Sequence, residues 1–483
     1  MELADRYERV LYPGQPFAAL HPNRLAATAR LFGLRTALIE RCRVLEIGCA
    51  DGGHLLPMAA QLPHSSFLGV DLAAGPVAQA RRLARQLGLT NVAFEALSFA
   101  ALPDGPQFDY VLCHGVYSWI EPALRGELLG LCRRRLAPNG VALISYNTLP
   151  GWYLRGLARG VMRLFPAAGG PAAEIARARQ LLAWAAANVG SLAPHAGVLR
   201  DEQESVAAAA DPYLFHEHLA PRNDPVWFRD FVAAAGAAGL RWLGEARLAD
   251  VAPERLGAAS AEAVAAAADD MLVREQLMDV LQPRYFRRSL LCHAERRPSR
   301  QLDWRRLTRL RFAASPLGGP AEDWVAAHSP HAPLAAAVGE ALAQRAPQSV
   351  SFTELLRAVS VALGAAVPMP SGELTGALLL TAVAAGHLDV VARRWPLTAR
   401  AGRRPTASPL ARLQAAEGRA AVTNQCHEPV PIDEVERALL ERMDGRSTRA
   451  DLLGVFEDAA ADDARAALED RLGRFARAAL LIH

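Results

Sequence analysis

The sequence predicts an α/β fold: a seven-stranded sheet flanked by helices, interrupted by a helical insertion and followed by two smaller units. Three observations carry this expectation. Apolar runs alternate with helix-period segments through residues 43–147. A glycine-rich turn, Gly48-Cys49-Ala50-Asp51-Gly52-Gly53, follows the first apolar run. A stretch rich in alanine and arginine, with no strand pattern, follows the fifth.

Taken in order, Arg43–Gly48, Phe67–Asp71, Asn91–Glu95, Phe108–His114 and Gly140–Asn147 read as strands. Helical patterns near 54–62, 75–88 and 121–136 separate them. This alternation implies a parallel sheet covered on both faces. Right-handed crossovers then bring the glycine turn and Asp71 to its carboxyl edge. Residues 155–210 are helical, with Glu174–Leu182 as an exposed amphipathic segment. A helix over Asp224–Gly236, a strand over Gly239–Ala246, a helical stretch over 259–282 and a strand over Phe286–His293 complete the sheet. Glu295–Asp303 reads as a linker. Helices at Pro333–Ala346, Phe352–Leu363 and Gly372–Ala385, followed by a brief hairpin at the short run Leu388–Val391, suggest a winged-helix-like unit. After a second linker, Arg400–Pro409, helices near 432–443 and 460–479 form another small unit.

A chain of 483 residues exceeds what one core supports. Its 51% apolar and 21% charged content is ordinary for a globular protein. A net charge of +3 gives little reason to expect nucleic-acid binding. There is no lysine: all 53 basic residues are arginine, which the abundant alanine assigns to codon bias. Six scattered cysteines form no C-x-x-C pair, against a zinc site or a disulfide framework and in keeping with a reducing cytoplasm. Acids stand where a signal peptide needs an apolar core. No apolar window reaches ~18 residues, so no membrane span is expected.

The candidate site gathers at the carboxyl edge. Gly48, Ala50 and Gly52 let backbone N–H groups approach a polar ligand at a helix start. Glu46, directly before the turn, suits a cofactor carrying an amino-acid cation rather than a phosphate. Asp71 closes the second strand at about the 20-residue spacing of a ribose-binding acid. Its alternative role is a helix cap. Ser98 follows the third strand, where an adenine amino group is often met. The fourth strand ends in Cys113-His114-Gly115-Val116-Tyr117-Ser118-Trp119, and the fifth in Ser145-Tyr146-Asn147-Thr148-Leu149-Pro150-Gly151-Trp152. Aromatic and amide groups clustered there suit a cationic donor and an amine acceptor. We read Tyr117, Tyr146, Asn147 and Trp119 as the catalytic candidates. His216-Glu217-His218 lacks the H-E-x-x-H spacing of a helix-borne metal site and is read as structural or capping. No metal is expected.

These residues resemble those of class I S-adenosylmethionine-dependent methyltransferases, most closely the bacterial group with a methyltransferase regulatory domain that includes the rickettsial outer-membrane-protein lysine methyltransferases. Tyr12-Pro13, His21–Leu25, His216-Glu217, Phe228–Phe231 and Phe286–His293 extend the resemblance over about residues 7–295. More weakly, 304–395 resembles the winged-helix unit that ends those enzymes, and His427–Val430 through Asp444-Gly445 a peptide-gripping winged-helix module. The resemblance implies a Rossmann-like core with an N-terminal lid over 1–154, a helical insertion over 155–215 and the rest of the sheet over 216–297. It implies winged-helix-like units over 304–398 and 408–483. It further implies S-adenosylmethionine held by Gly48, Cys49, Ala50 and Gly52 at its methionine part and by Asp71 at its ribose. Leu72 would pack on the adenine, Ser98 at its edge, His114 beside the sulfonium, with Tyr12 and His21 on the lid. Ala50 departs from the family's middle glycine and Ser98 from its acid.

The function expected is methyl transfer to a protein lysine, in line, onto a neutral amine. A small-molecule acceptor and a non-catalytic scaffold that binds the cofactor are the alternatives. The acceptor's identity, the number of methyl groups and the oligomeric state are not legible. The helical insertion is a candidate surface for a homodimer.

Overall fold

In a computed structural model of the chain, the described residues are 2–12, 14–251, 256–267, 270–314, 331–364, 372–456 and 460–482. Pro13 and parts of the 259–282 and 304–398 readings lie outside them.

Seven strands form one sheet: β1 (Arg43–Ile47), β2 (Ser66–Asp71), β3 (Val92–Ala96), β4 (Phe108–Cys113), β5 (Leu136–Asn147), β6 (Leu240–Glu245) and β7 (Phe286–His293). Their order is β3-β2-β1-β4-β5-β7-β6. The chain runs outward from β1 through β2 to β3, then returns to place β4 on the other side of β1. That reversal opens a crevice at the carboxyl ends of β1 and β4, where Ile47 pairs with Val70 on one side and Cys113 on the other. The alternation implied a parallel sheet. Instead β7 runs antiparallel between β5 and β6. Its reversal puts the amino end of β7 at the crevice, with Phe286 paired to Asn147.

The helices are α1 (Glu2–Arg9), α2 (Pro22–Leu31), α3 (Leu55–Gln61), α4 (Ala74–Gln86), α5 (Pro122–Arg135), α6 (Gly151–Met162), α7 (Pro171–Asn188) and α8 (Ala196–Ala208), with further ones named by residue below. Proline at N1 starts α2, α5 and α7, where its missing N–H costs nothing. One apolar core lies between the sheet and α2, α3 and α4, and continues into the first C-terminal unit. The other lies under α5 and the helix Phe228–Ala237. The insertion α6–α8 has its own core, which takes in Leu214 and Phe215. Among the described residues no helix is long and apolar enough to cross a membrane.

Near the sheet's reversed strand the core contains charge. Arg287 on β7 is fully buried. It donates to Glu245 Oε1 (2.9 Å), to both Asp279 oxygens (2.8 and 2.9 Å) and to Glu275 Oε2 (3.1 Å).

The first C-terminal unit is, among the described residues, a three-stranded antiparallel sheet, Asp389–Val391, Arg311–Ala313 and Val350–Ser351 in that order, packed by the helices Ala332–Ala343, Phe352–Leu363 and Gly372–Ala385. The strand after Gly372–Ala385 therefore pairs with a strand far upstream rather than forming a hairpin. The second unit joins a two-stranded ribbon, Ala421–Thr423 with Pro429–Pro431, to the helices Glu434–Arg442 and Ala461–Arg477. Both units dock on α2 through one buried guanidinium. Arg24 Nε donates to Asp389 Oδ2 (2.7 Å), and Arg24 Nη2 reaches Glu428 Oε1 (3.4 Å).

Candidate functional site

The crevice between β1 and β4 is a cavity of about 380 Å³. It falls in the roughly 300–1,000 Å³ range of small-molecule sites. Local backbone chemistry builds its floor. Gly48 and Gly52 take positive φ (81° and 75°), and Ala50 does so without being glycine (46°). A Cβ on Gly48 would lie 2.5 Å from Val116 Cγ2, so only glycine lets the turn pass beneath β4's exit. Gly48 N–H donates to the Val70 carbonyl (2.8 Å). Asp71 then fastens the turn: Ala50 N–H donates to its Oδ2 and Ala73 N–H to its Oδ1, both at 2.9 Å. Asp71 thus caps the following segment and also faces the cavity. Burial raises its pKa against the pull of those two donors.

Glu46 is buried. Its Oε1 meets His54 Nδ1 at 2.8 Å, while its Oε2 has no hydrogen-bond partner among the described residues. A buried acceptor left this way is costly unless a ligand donor reaches it. The N-terminal segment crosses above. Gly14 lies so close to Gly53 that a Cβ on Gly53 would meet Gly14's carbonyl carbon at 2.4 Å. Phe17 packs edge-on to His114 (ring centroids 4.3 Å). Burial drives His114 down to about 3, so the imidazole is neutral.

Of the candidate residues, Tyr12, Glu46, Gly48, Cys49, Ala50, Asp71, Leu72, His114, Trp119 and Asn147 line the cavity. Five candidates do not. Gly52 backs onto Phe94 and Ala80, where it closes the turn against α4. Ser98 caps the short turn after β3, its Oγ accepting from Ala100 N–H (3.2 Å), and its neighbours Leu97 and Phe99 face the cavity instead. His21 caps α2 through Nδ1 and is buried against Trp395 and His427. Tyr146 and Tyr117 pack with Phe231 in the second core. Strand alternation explains Tyr146: its neighbour Asn147 faces the site, so Tyr146 faces the opposite side. Its hydroxyl pairs with Ser289 Oγ (3.1 Å).

The far wall comes from residues that lie at no strand's carboxyl end and were not among the candidates. Tyr7, Arg155, Tyr213, His216, Glu217 and Tyr285 close the cavity there. Helix α1 makes the roof. Tyr7 stacks on His216 (4.3 Å, 11°), and Arg6 lies over Phe215 (3.9 Å). His216 and Glu217 face inward and His218 is buried in the protein, so the His-Glu-His run is split between site and interior. Among the described residues no group of three metal-ligating side chains could hold an ion. The one local signal was an acid inside an otherwise aromatic and apolar run, Tyr213–His218.

Comparison with known proteins fits this geometry. Residues 45–142 match the model of a methyltransferase domain, and 210–293 that of a predicted methyltransferase regulatory domain. Residues 403–480 match the PKMT C-terminal winged helix domain. That match falls on the second small unit, where 408–483 was expected to be winged-helix-like, and not on 304–395, where the family's terminal winged helix was expected. Protein RP789 of Rickettsia prowazekii is 34% identical over 300 residues, 62% of this chain and 54% of that one. The chain thus spans about half the length of that relative. RP028 of the same organism is 34% identical over 232 residues, 47% of this chain and 93% of that one. The solved structure of PKMT2 from Rickettsia typhi superposes with a TM-score of 0.86 at 25% identity, covering 98% of this chain and all of that one. Its complex with AdoHcy superposes at 0.85.

Proposed function

This chain belongs to the class I S-adenosylmethionine-dependent methyltransferases that carry a methyltransferase regulatory domain, and from that premise we propose that it is a protein lysine N-methyltransferase. One observation supports the reading above the others. A single cavity joins an acid-lined end, Glu46 and Asp71, to an aromatic and amide end, Trp119 and Asn147.

The residues fit the cofactor. Glu46 Oε2, unpartnered and buried, suits the methionine ammonium. The Gly48–Ala50 turn leaves room for the methionine chain, and Asp71 suits the ribose hydroxyls. Leu72, Leu97 and Phe99 offer apolar faces for the adenine. Neutral His114 adds no positive charge beside a sulfonium. When bound, S-adenosylmethionine supplies an electrophilic methyl group that needs no acid to activate it.

The chain's part is then alignment and dryness. Fixing the acceptor in line can supply several kcal/mol of the barrier. The amine must arrive neutral, against an ordinary lysine pKa of about 10.4. Burial in this cavity lowers it. Asn147 is held for that work by Ser118 Oγ, which accepts from its backbone N–H (2.8 Å). Tyr117 and Tyr146, buried behind it, support the wall rather than touch the acceptor. All six cysteines are free and buried, which supports a reducing cytoplasm.

Labelled methyl transfer from S-adenosylmethionine into a bacterial lysate tests the proposal. We expect label in the protein fraction, recovered as methylated lysine after acid hydrolysis. Label confined to small molecules, or to other residues, would overturn it. The insertion exposes Phe165, Trp184 and Leu192, which supports a second copy of the chain as its partner. Light scattering should give the mass of two chains; one chain's mass discards the dimer.

A further inference from the structure

The acceptor end of the cavity holds a carboxylate that neither cofactor binding nor folding explains. Glu217 sits on the one-turn π segment Leu214–His218. Among the described residues its Oε1 accepts only a long hydrogen bond from Asn147 Nδ2 (3.4 Å), which also donates to Asn223 Oδ1 (2.9 Å). Glu217 makes no ion pair among the described residues. The buried acids with structural work look different: Glu245, Glu275 and Asp279 each contact Arg287.

We propose that Glu217 is the catalytic base of the transfer, taking a proton from the incoming lysine ammonium while Asn147 positions its carboxylate. This rests on the lysine methyltransferase reading. In the step, one Nζ–H bond breaks and an O–H bond forms on Glu217. The electron pair stays on Nζ, where it becomes the nucleophile, and the proton later leaves to solvent.

The groups around Glu217 leave it as the base at this end of the cavity. Tyr7 and Tyr12 face it from the N-terminal segment, Tyr213 from its own segment, and Arg155 and Arg159 from α6. Burial pushes all three phenols upward, Tyr12 to about 12, so they stay protonated at neutral pH. His216 is occupied, its Nε2 bonded to the Val10 carbonyl (2.7 Å), and burial lowers it. Arg155 is spent on Glu202 (3.0 Å) and on the face of Tyr285. Arg159 bonds the Ala220 carbonyl (2.5 Å). The two guanidinium charges depress a neighbouring amine. Burial lifts Glu217 to about 7 against their pull. Base and amine are thereby brought toward a common pKa, the condition for efficient proton transfer.

The test compares wild type with Glu217→Gln and Glu217→Asp. In the difference spectrum between wild type and Glu217→Gln, a protonated-carboxyl infrared component titrating near pH 7 should be lost, independently of turnover, while that of Glu275, which burial also lifts to about 7, remains in both. Glu217→Gln should keep its affinity for S-adenosylmethionine and its Tm at pH 6. It should lose roughly 10²–10⁴-fold in kcat at pH 7.5. It should also lose the acid limb near pH 7, the deficit narrowing toward pH 9 as solvent deprotonates the amine. Glu217→Asp should retain the limb and part of the rate. A Glu217→Gln enzyme within threefold of wild type with the same pH profile overturns the proposal, as does a band lost with Glu217 that titrates below pH 5. A wild-type enzyme that binds S-adenosylmethionine but methylates no amine overturns the function reading instead, and the inference with it.

Discussion

Arg287→Leu should destabilise the catalytic domain by about 3–5 kcal/mol, because it leaves three buried carboxylates without their shared cation. The guanidinium is fully buried and is contacted by Glu245, Glu275 and Asp279 within 3.1 Å. At this chain size the loss corresponds to a Tm fall on the order of 10 °C. Its pH dependence has a definite sign. Burial already raises Glu275 to about 7 from its ordinary 4.5, with Arg287 holding it down. Losing Arg287 raises Glu275 and Asp279 further. A carboxyl whose folded pKa exceeds its unfolded value costs stability above that unfolded value, and the cost fades as pH falls toward it. The gap between wild type and variant should therefore be widest above pH 7 and shrink toward pH 5. Thermal unfolding across that range checks it. A gap that is small, or flat with pH, would show that the network is not what holds β7 in place.

Glu46→Gln and Asp71→Ala should each weaken S-adenosylmethionine binding at least tenfold. A hydrogen bond to a charged partner contributes about 1.5–3 kcal/mol, or roughly ten- to a hundredfold in Kd. Glu46→Gln is the cleaner of the two. The amide oxygen can still accept from His54, so the fold around Oε1 (2.8 Å) is preserved while the charge facing the cavity is lost. Asp71→Ala also frees the N–H groups of Ala50 and Ala73 and loosens a turn that already holds alanine at φ 46°. Its loss of affinity should therefore come with a lower Tm, whereas Glu46→Gln should leave Tm unchanged. Titration calorimetry and melting curves on the same samples separate the two. An unchanged Kd for either variant removes that residue from the site.

The sheet was readable where local pattern decides structure. Buried runs such as Val44–Ile47 and Val111–Cys113 mark strands, and the turn at Gly48 marks the crevice, because sterics and burial act over a few residues. Direction was not readable for β7. The run Phe286–His293 is equally apolar in either sense, and only its neighbours β5 and β6 fix it as antiparallel. That Glu46, Gly48 and Asp71 would share one cavity was legible for the same local reasons: all three lie at strand ends. Tyr146 misled because an aromatic at a strand's carboxyl end has even odds of facing the site, and the pleat turned it into the core. Glu217 escaped because its place depends on distant contacts. Helix α1 lies over Phe215 and His216 from about 200 residues upstream, and Glu217 meets Asn147 from another element. His21 shows the converse: its contacts with Trp395 and His427 come from more than 370 residues away in the chain, and they bury it beside α2.

The most direct check of the central claim is calorimetric titration of the intact chain with S-adenosylmethionine and, separately, with NAD. A cavity built around an unpartnered Glu46 oxygen rather than a phosphate cradle predicts binding of S-adenosylmethionine at about micromolar Kd and no measurable heat with NAD. Tight NAD binding without S-adenosylmethionine binding would contradict it.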